Sequence, residues 1–143
     1  MNMITIVTIG FLMMETANIT ALYFFPDSKF ANSMGVFKAW EKSKEDAQVH
    51  DLMKYMVNWV AGTKLIFIML LVVILLTGNA NTKTIAAIAM VISIASFFWR
   101  LFPLVKKMDS EEQLDPSGYS KTLGVLIGVM IALFLIAFVV VLV

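Results

Sequence analysis

Glu15, Lys64 and Arg100 lie inside stretches that are otherwise almost pure hydrocarbon. A charge at that depth in a bilayer costs ~3 kcal/mol or more, so it pairs, snorkels to the surface or serves a function. Three chemistries are open to this trio. A Glu–Lys couple fixes helix register as a closed ion pair. A membrane carboxylate that can exchange its cationic partner lies on a path for ions or solutes. An Arg with Asn and Glu neighbours binds and activates a small polar or anionic co-substrate at one leaflet.

Depth separates the three residues. Glu15 stands ten residues before Phe25, where the first apolar stretch ends, and Lys64 ten residues after Lys54, where the second begins. At ~1.5 Å rise per residue both lie about 15 Å in, near the middle of a ~30 Å hydrocarbon core. Arg100, six residues before Lys106, is only about 9 Å deep, within snorkelling reach of the headgroups. Asn18 follows Glu15 on the same helical face, and Asn58 sits nearer the polar end of its segment. Glu15, Asn18, Asn58, Lys64 and Arg100 are therefore the candidate polar cluster. In it Glu15 is the responsive group, Lys64 its counter-ion, and the two asparagines neutral ligands. Asn58 and Lys64 are six residues apart and do not share a helical face, so Asn58 is expected to turn toward Arg100.

The elements that must carry these residues follow from hydropathy. The chain has 143 residues, 60% hydrophobic and only 15% charged, against about 25% charged in soluble domains. The apolar excess falls in four blocks, about 3–25, 54–77, 83–105 and 119–143, each near the ~20 residues a membrane helix needs. Backbone groups in lipid must bond internally, which selects helices or closed barrels. The run Leu65–Leu76 has no strand-like alternation, which excludes a barrel strand. The expected fold is all-α, a single polytopic membrane domain of four transmembrane helices over residues 1–143. The first block has no basic leader and reads as a retained helix.

Between the first two helices, Phe30, Met34, Phe37 and Trp40 recur near helical spacing, which fits either a short amphipathic helix on the membrane surface or a solvated helical hairpin. Asp46 is placed to cap the helix that follows. Thr77-Gly78-Asn79 ends helix two, and so short a link makes helices two and three antiparallel neighbours. Lys29, Lys38, Lys42, Lys44, Lys54, Lys106, Lys107 and Lys121 flank the loops on one side, and Lys83 alone flanks the other. The positive-inside rule then puts loops 26–53 and 106–118 in the cytoplasm and both termini outside a plasma or inner membrane.

Two stripes of small residues predict close helix packing. Ser120, Gly124, Gly128 and Ala132 recur every four residues on helix four, and Ala89, Ser93 and Ser96 run along helix three. Both are expected to face protein, and the glycine seam suits a homo-oligomer or a partner membrane protein.

Composition removes other classes. With no cysteine and one histidine, His50, a metal centre or Cys nucleophile is not expected, and no cofactor is implied. A net charge of +1 argues against nucleic acid as a partner; the bilayer is the expected one.

At Glu15 the chain resembles the small multidrug resistance transporters, in which a Glu in the first of four short helices exchanges protons for cationic drugs. It departs from them in its long first loop and in Lys64 and Arg100. The layout is similar to that of the membrane-associated eicosanoid and glutathione enzymes: four helices, a long first loop, a short second loop and outward termini. Helix two, with only His50, Asn58 and Lys64, lacks the Arg and Glu of their motif. Neither resemblance assigns a family. The reading that emerges is a membrane protein that binds or moves a small ion or solute through the polar cluster. A leaflet enzyme using Arg100 and Asn58, and an accessory subunit of a larger complex, are the alternatives.

Overall fold

The computed structural model describes residues 2–142, and among these every regular element is helical. Helix α1 spans Met3–Phe24, α2 Lys38–Ser43, α3 Ala47–Thr77, α4 Ala80–Ala95, α5 Phe97–Ser110 and α6 Tyr119–Leu142, with a 3-10 turn at Met34–Val36. Four helical runs are long and apolar enough to cross a membrane: Met3–Phe24, Ala47–Thr77, Ala80–Ser110 and Tyr119–Val141.

Local chemistry sets the helix ends. Asn2, Asp46 and Asn79 each cap a following helix by accepting backbone N–H bonds, which satisfies donors the first turn leaves open. The Asp46 cap starts α3 seven residues before the apolar block, so α3 projects well past it. The regular α-helix of the third run is interrupted at Ser96. There the Ser96 hydroxyl donates to the Ser93 carbonyl at 2.6 Å, and Trp99 N–H reaches the Ser96 carbonyl at 3.1 Å in a tightened turn. Pro103, inside α5, has no N–H for the carbonyl four residues earlier, which loosens the same stretch.

Helix α1 packs chiefly on α3 and α6, and α6 also carries α4 and α5. Helices α3 and α4 join by a two-residue turn, Gly78-Asn79, but each packs mainly elsewhere. The half of the bundle away from the charged loops is a dry core of Ile4, Phe11, Leu12, Ile68, Leu71, Phe134 and Ala137. Phe11 meets Phe134 edge-on at 6.0 Å. At the charged end Trp40 closes on Leu22, Val57 and Ala61, while Val36, Val105, Leu114 and Leu123 form a third cluster.

The segment after α1 is not the expected surface helix. Ala31 and Asn32 take left-handed φ values of 53° and 55°, which ends any helical run there. Gly35 then passes so close to the preceding turn that a Cβ would stand 2.0 Å from the Asp27 carbonyl oxygen. Its N–H donates to the Pro26 and Ser28 carbonyls at 2.9 and 3.1 Å. The expected apolar face splits accordingly: Trp40 is buried, while Phe30 is 83% exposed. Lys42 has no partner at Asp46, because α2 stops at Ser43.

The two loops at the charged end knit together. Lys38 N–H donates to the Gln113 carbonyl at 3.0 Å and Asp115 N–H to the Val36 carbonyl at 2.9 Å. Lys29 and Asp115 form an ion pair across them. Asp109 anchors the start of α6, accepting from Gly118 N–H at 2.9 Å and from Ser120 N–H at 3.0 Å.

The small-residue stripes fall differently from expectation. Ser120 is buried against Asp109, and Gly124 lies under the Phe102 ring, 2.7 Å from where a Cβ would sit. A Cβ on Gly128 would meet nothing within 4 Å, and Ala132 is exposed. Ala89, Ser93 and Ser96 are likewise exposed; the α4 residues buried in the bundle are Ala87 and Met90. The pairing of α4 with α6 leaves that stripe facing outward. We therefore expect Gly124→Ala to cost about 1–2 kcal/mol through overpacking against Phe102. Gly128→Ala should stay within about 0.5 kcal/mol of the parent chain. Thermal unfolding in detergent of the two variants side by side checks the contrast.

Candidate polar binding site

The polar level lies between the dry core and the charged-end clusters, where α1 faces α3. Lys64 Nζ donates to Glu15 Oε2 at 2.8 Å and to Asn18 Oδ1 at 2.6 Å. The Glu15 side chain is 18% exposed and that of Lys64 33%. The spacing of Glu15 and Asn18 on α1 presents both acceptors to one ammonium, which the helical repeat makes possible.

Asn18 is the hub. It is 6% exposed and spends its amide in both directions. Its Oδ1 accepts a hydrogen bond from the Lys64 ammonium, and its Nδ2 donates to the Ala31 carbonyl at 2.5 Å and the Asn32 carbonyl at 3.0 Å. The left-handed pair in the first loop thus turns two backbone acceptors down onto α1. Tyr119 at the start of α6 closes the circuit, its hydroxyl donating to Asn32 Oδ1 at 2.5 Å. No described buried side-chain N or O atom lacks a partner.

Beside this network lies a cavity of about 440 Å³. Glu15, Asn18, Lys29, Asn32, Lys64 and Tyr119 line its polar part, and Met14, Leu123, Leu126 and Ile127 are among its apolar lining. It sits between α1 and α6, under the first loop.

Three of the five predicted cluster residues come together: Glu15, Asn18 and Lys64. Asn58 and Arg100 do not join them. Asn58 is exposed on α3, on a different face from Lys64, as six-residue spacing requires. Arg100 is exposed on α5, with its guanidinium carbon 5.4 Å from the Trp99 ring centroid, a cation–π contact of the kind an interfacial anchor makes. It does not meet Asn58. Sequence reasoning missed Asn32 and Tyr119, and counted Lys29 only as loop charge. The turn-prone run Ala31-Asn32-Ser33 was a signal for a turn, but nothing in it shows that the turn folds back onto α1.

The loop carrying Ala31 and Asn32 is held from outside by two carboxylates. Asp27 bonds Lys44 and the Trp40 indole N–H, which hold its carboxyl below the usual carboxylate range. Lys29 does the same to Asp115. A depressed folded-state pKa gives stability that is present above the unfolded value and is lost as pH falls through the folded one. Protection of the backbone amides over residues 26–37, taken relative to their intrinsic exchange rates, should therefore be constant from about pH 7 to 5 and fall below about pH 4. Constant protection down to about pH 3 would contradict this.

Among described residues no group of three His, Asp or Glu is placed to hold a metal ion. Compared with protein families, characterised proteins and solved structures, the chain matches none.

Proposed function

We propose that this chain is a multi-pass membrane protein that binds a small solute at the Glu15–Asn18–Lys64 cluster. The observation that carries the reading is the cavity of about 440 Å³ beside a partly accessible intramembrane ion pair. Sites of this size suit small molecules, and a charge pair at such depth is retained for a task more often than for stability. The lysine bias of the loops supports a topology with loops 26–53 and 106–118 cytoplasmic and both termini outside a plasma or inner membrane. The loop that covers the cavity would then lie on the cytoplasmic side.

Movement of the solute across the membrane is the stronger form of the proposal. In the apolar core around Phe11, Leu71 and Phe134 the buried polar side chain beyond Glu15 is Thr8, whose hydroxyl is committed to the Ile4 carbonyl, so crossing would require that half to rearrange or a second copy to complete the path. The outward-facing Ala89, Ser93, Ser96, Gly128 and Ala132 favour such a contact, with another copy or a partner membrane protein.

The test is a panel of alkali cations, ammonium compounds, carboxylates and phosphates against the purified protein in nonionic detergent. At least one class should raise the melting temperature of the parent chain and leave Glu15→Gln and Lys64→Gln unmoved. A panel that shifts nothing would remove the binding reading. Flux of the hit into liposomes, lost in Glu15→Gln, separates moving from binding.

A further inference from the structure

The cavity has a polarity that selects among solutes. The charged residues of its lining are two lysines, Lys29 and Lys64, and one glutamate, Glu15. The Lys29 ammonium is paired with Asp115, which is not part of the lining, so a ligand anion would compete with that carboxylate for it. An ammonium carries three N–H donors; Lys64 gives two of them to Glu15 and Asn18, which leaves one for a ligand. Asn18, by contrast, has its amide committed on both sides. The polar end is therefore rich in cationic donors and offers a ligand few acceptors.

The rest of the wall is mostly apolar, with Met14, Phe30, Leu123, Leu126 and Ile127 beside one hydroxyl residue, Thr122. Phe30 and Leu126 are 83% and 45% exposed, so the apolar part opens sideways, between α1 and α6, where lipid would lie. A free anion would leave these residues idle. A neutral hydrocarbon would bury the Lys64 ammonium with its last donor unmet, which is costly in a low-dielectric site.

We propose that the solute is an anionic amphiphile, a single acyl-type chain ending in a carboxylate or phosphate. The head group meets Lys64 and Lys29, and the chain lies against Leu123, Leu126 and Ile127, with entry from the side. The proposal rests on the binding reading above and names its ligand class.

Isothermal titration of the full chain in nonionic detergent, with blank micelles subtracted, tests it with four probes: decanoate, decyltrimethylammonium, decanol and acetate. Decanoate should bind saturably and at least tenfold more tightly than the other three. Lys29→Gln should weaken it at least fivefold, and Leu126→Trp, which fills the apolar wall, should abolish it. Thr122→Trp, at an exposed lining position, serves if Leu126→Trp does not fold. Acetate equal to decanoate, or preference for the cationic chain, overturns the amphiphile proposal while the binding reading stands. Absence of binding by all four overturns the proposal as well. Only if the broader solute panel is also silent does the binding reading fall with it.

Discussion

Lys64→Met should destabilise the folded chain by about 3 kcal/mol, a large effect for a single change in the four long apolar helices. The cost arises from what is left behind. Glu15 Oε2 and Asn18 Oδ1 both accept from the Lys64 ammonium, and with methionine in its place a carboxylate and an amide oxygen lose their shared donor. Breaking a fully buried pair costs ~3–5 kcal/mol. The low end applies because 33% of the Lys64 side chain and 18% of Glu15 remain accessible. Removing both charges together is a different experiment. Glu15→Leu with Lys64→Met replaces the pair by hydrocarbon and should recover most of the loss, since buried pairs contribute little net stability over apolar packing. A double-mutant cycle by chemical or thermal unfolding in detergent should therefore give a coupling energy of about 1–3 kcal/mol. Additive losses would mean that the 2.8 Å contact contributes nothing. The cycle also bears on function. A recovered double variant that no longer binds any solute would separate the role of the pair in binding from its role in folding.

The pair was legible before any coordinates because depth is arithmetic. Two helices of known rise, with ends marked by Phe25 and Lys54, place Glu15 and Lys64 at one level. The same arithmetic said nothing about azimuth, which decides what a residue faces. Asn58 has a plausible depth and the wrong face, and it is exposed on α3. The α4 stripe of Ala89, Ser93 and Ser96 shows the same blind spot. Small residues mark a surface suited to close approach, but the choice of α6 as partner leaves them facing outward. Helix existence was read correctly for the opposite reason, since mean hydropathy over ~20 residues needs no knowledge of partners. The first loop failed on a third count. Helical spacing of Phe30, Met34 and Phe37 looked like a surface helix, yet the backbone there is governed by Ala31, Asn32 and Gly35. Left-handed φ values and a near-contact with the Asp27 carbonyl are tertiary decisions that no local periodicity records.

That loop makes Asn18 the most informative position in the site, and Asn18→Asp the change whose sign is most diagnostic. Two outcomes compete. An aspartate at this position adds a full charge opposite the Lys64 ammonium, 2.6 Å away in the parent chain, and an ion pair alone would make the variant more stable. The same substitution removes the Nδ2 donor that holds the Ala31 and Asn32 carbonyls at 2.5 and 3.0 Å, and it points a carboxylate oxygen at two backbone acceptors. An unmet acceptor costs ~1–3 kcal/mol when fully buried; Ala31 and Asn32 are exposed residues, so the low end applies to both carbonyls and the loss at the loop is about 2 kcal/mol before repulsion is counted. The gain at Lys64 is smaller, because that ammonium already has a carboxylate partner in Glu15. The loop should therefore lift. Cleavage by trypsin after Lys29 should accelerate by at least tenfold in Asn18→Asp, while α1 and α3 stay folded by circular dichroism. Left-handed residues such as Ala31 and Asn32 persist only where their surroundings over-determine them, so the release should spread through Asn32 to its bond with Tyr119. With the loop lifted, the cavity loses the wall formed by residues 29–32, and solute binding should fall even though Glu15 and Lys64 remain in place. A more stable Asn18→Asp chain with an unchanged trypsin pattern would show that the loop is held by Asp27, Gly35 and Asp115 alone, leaving Asn18 as a ligand of Lys64 and nothing more.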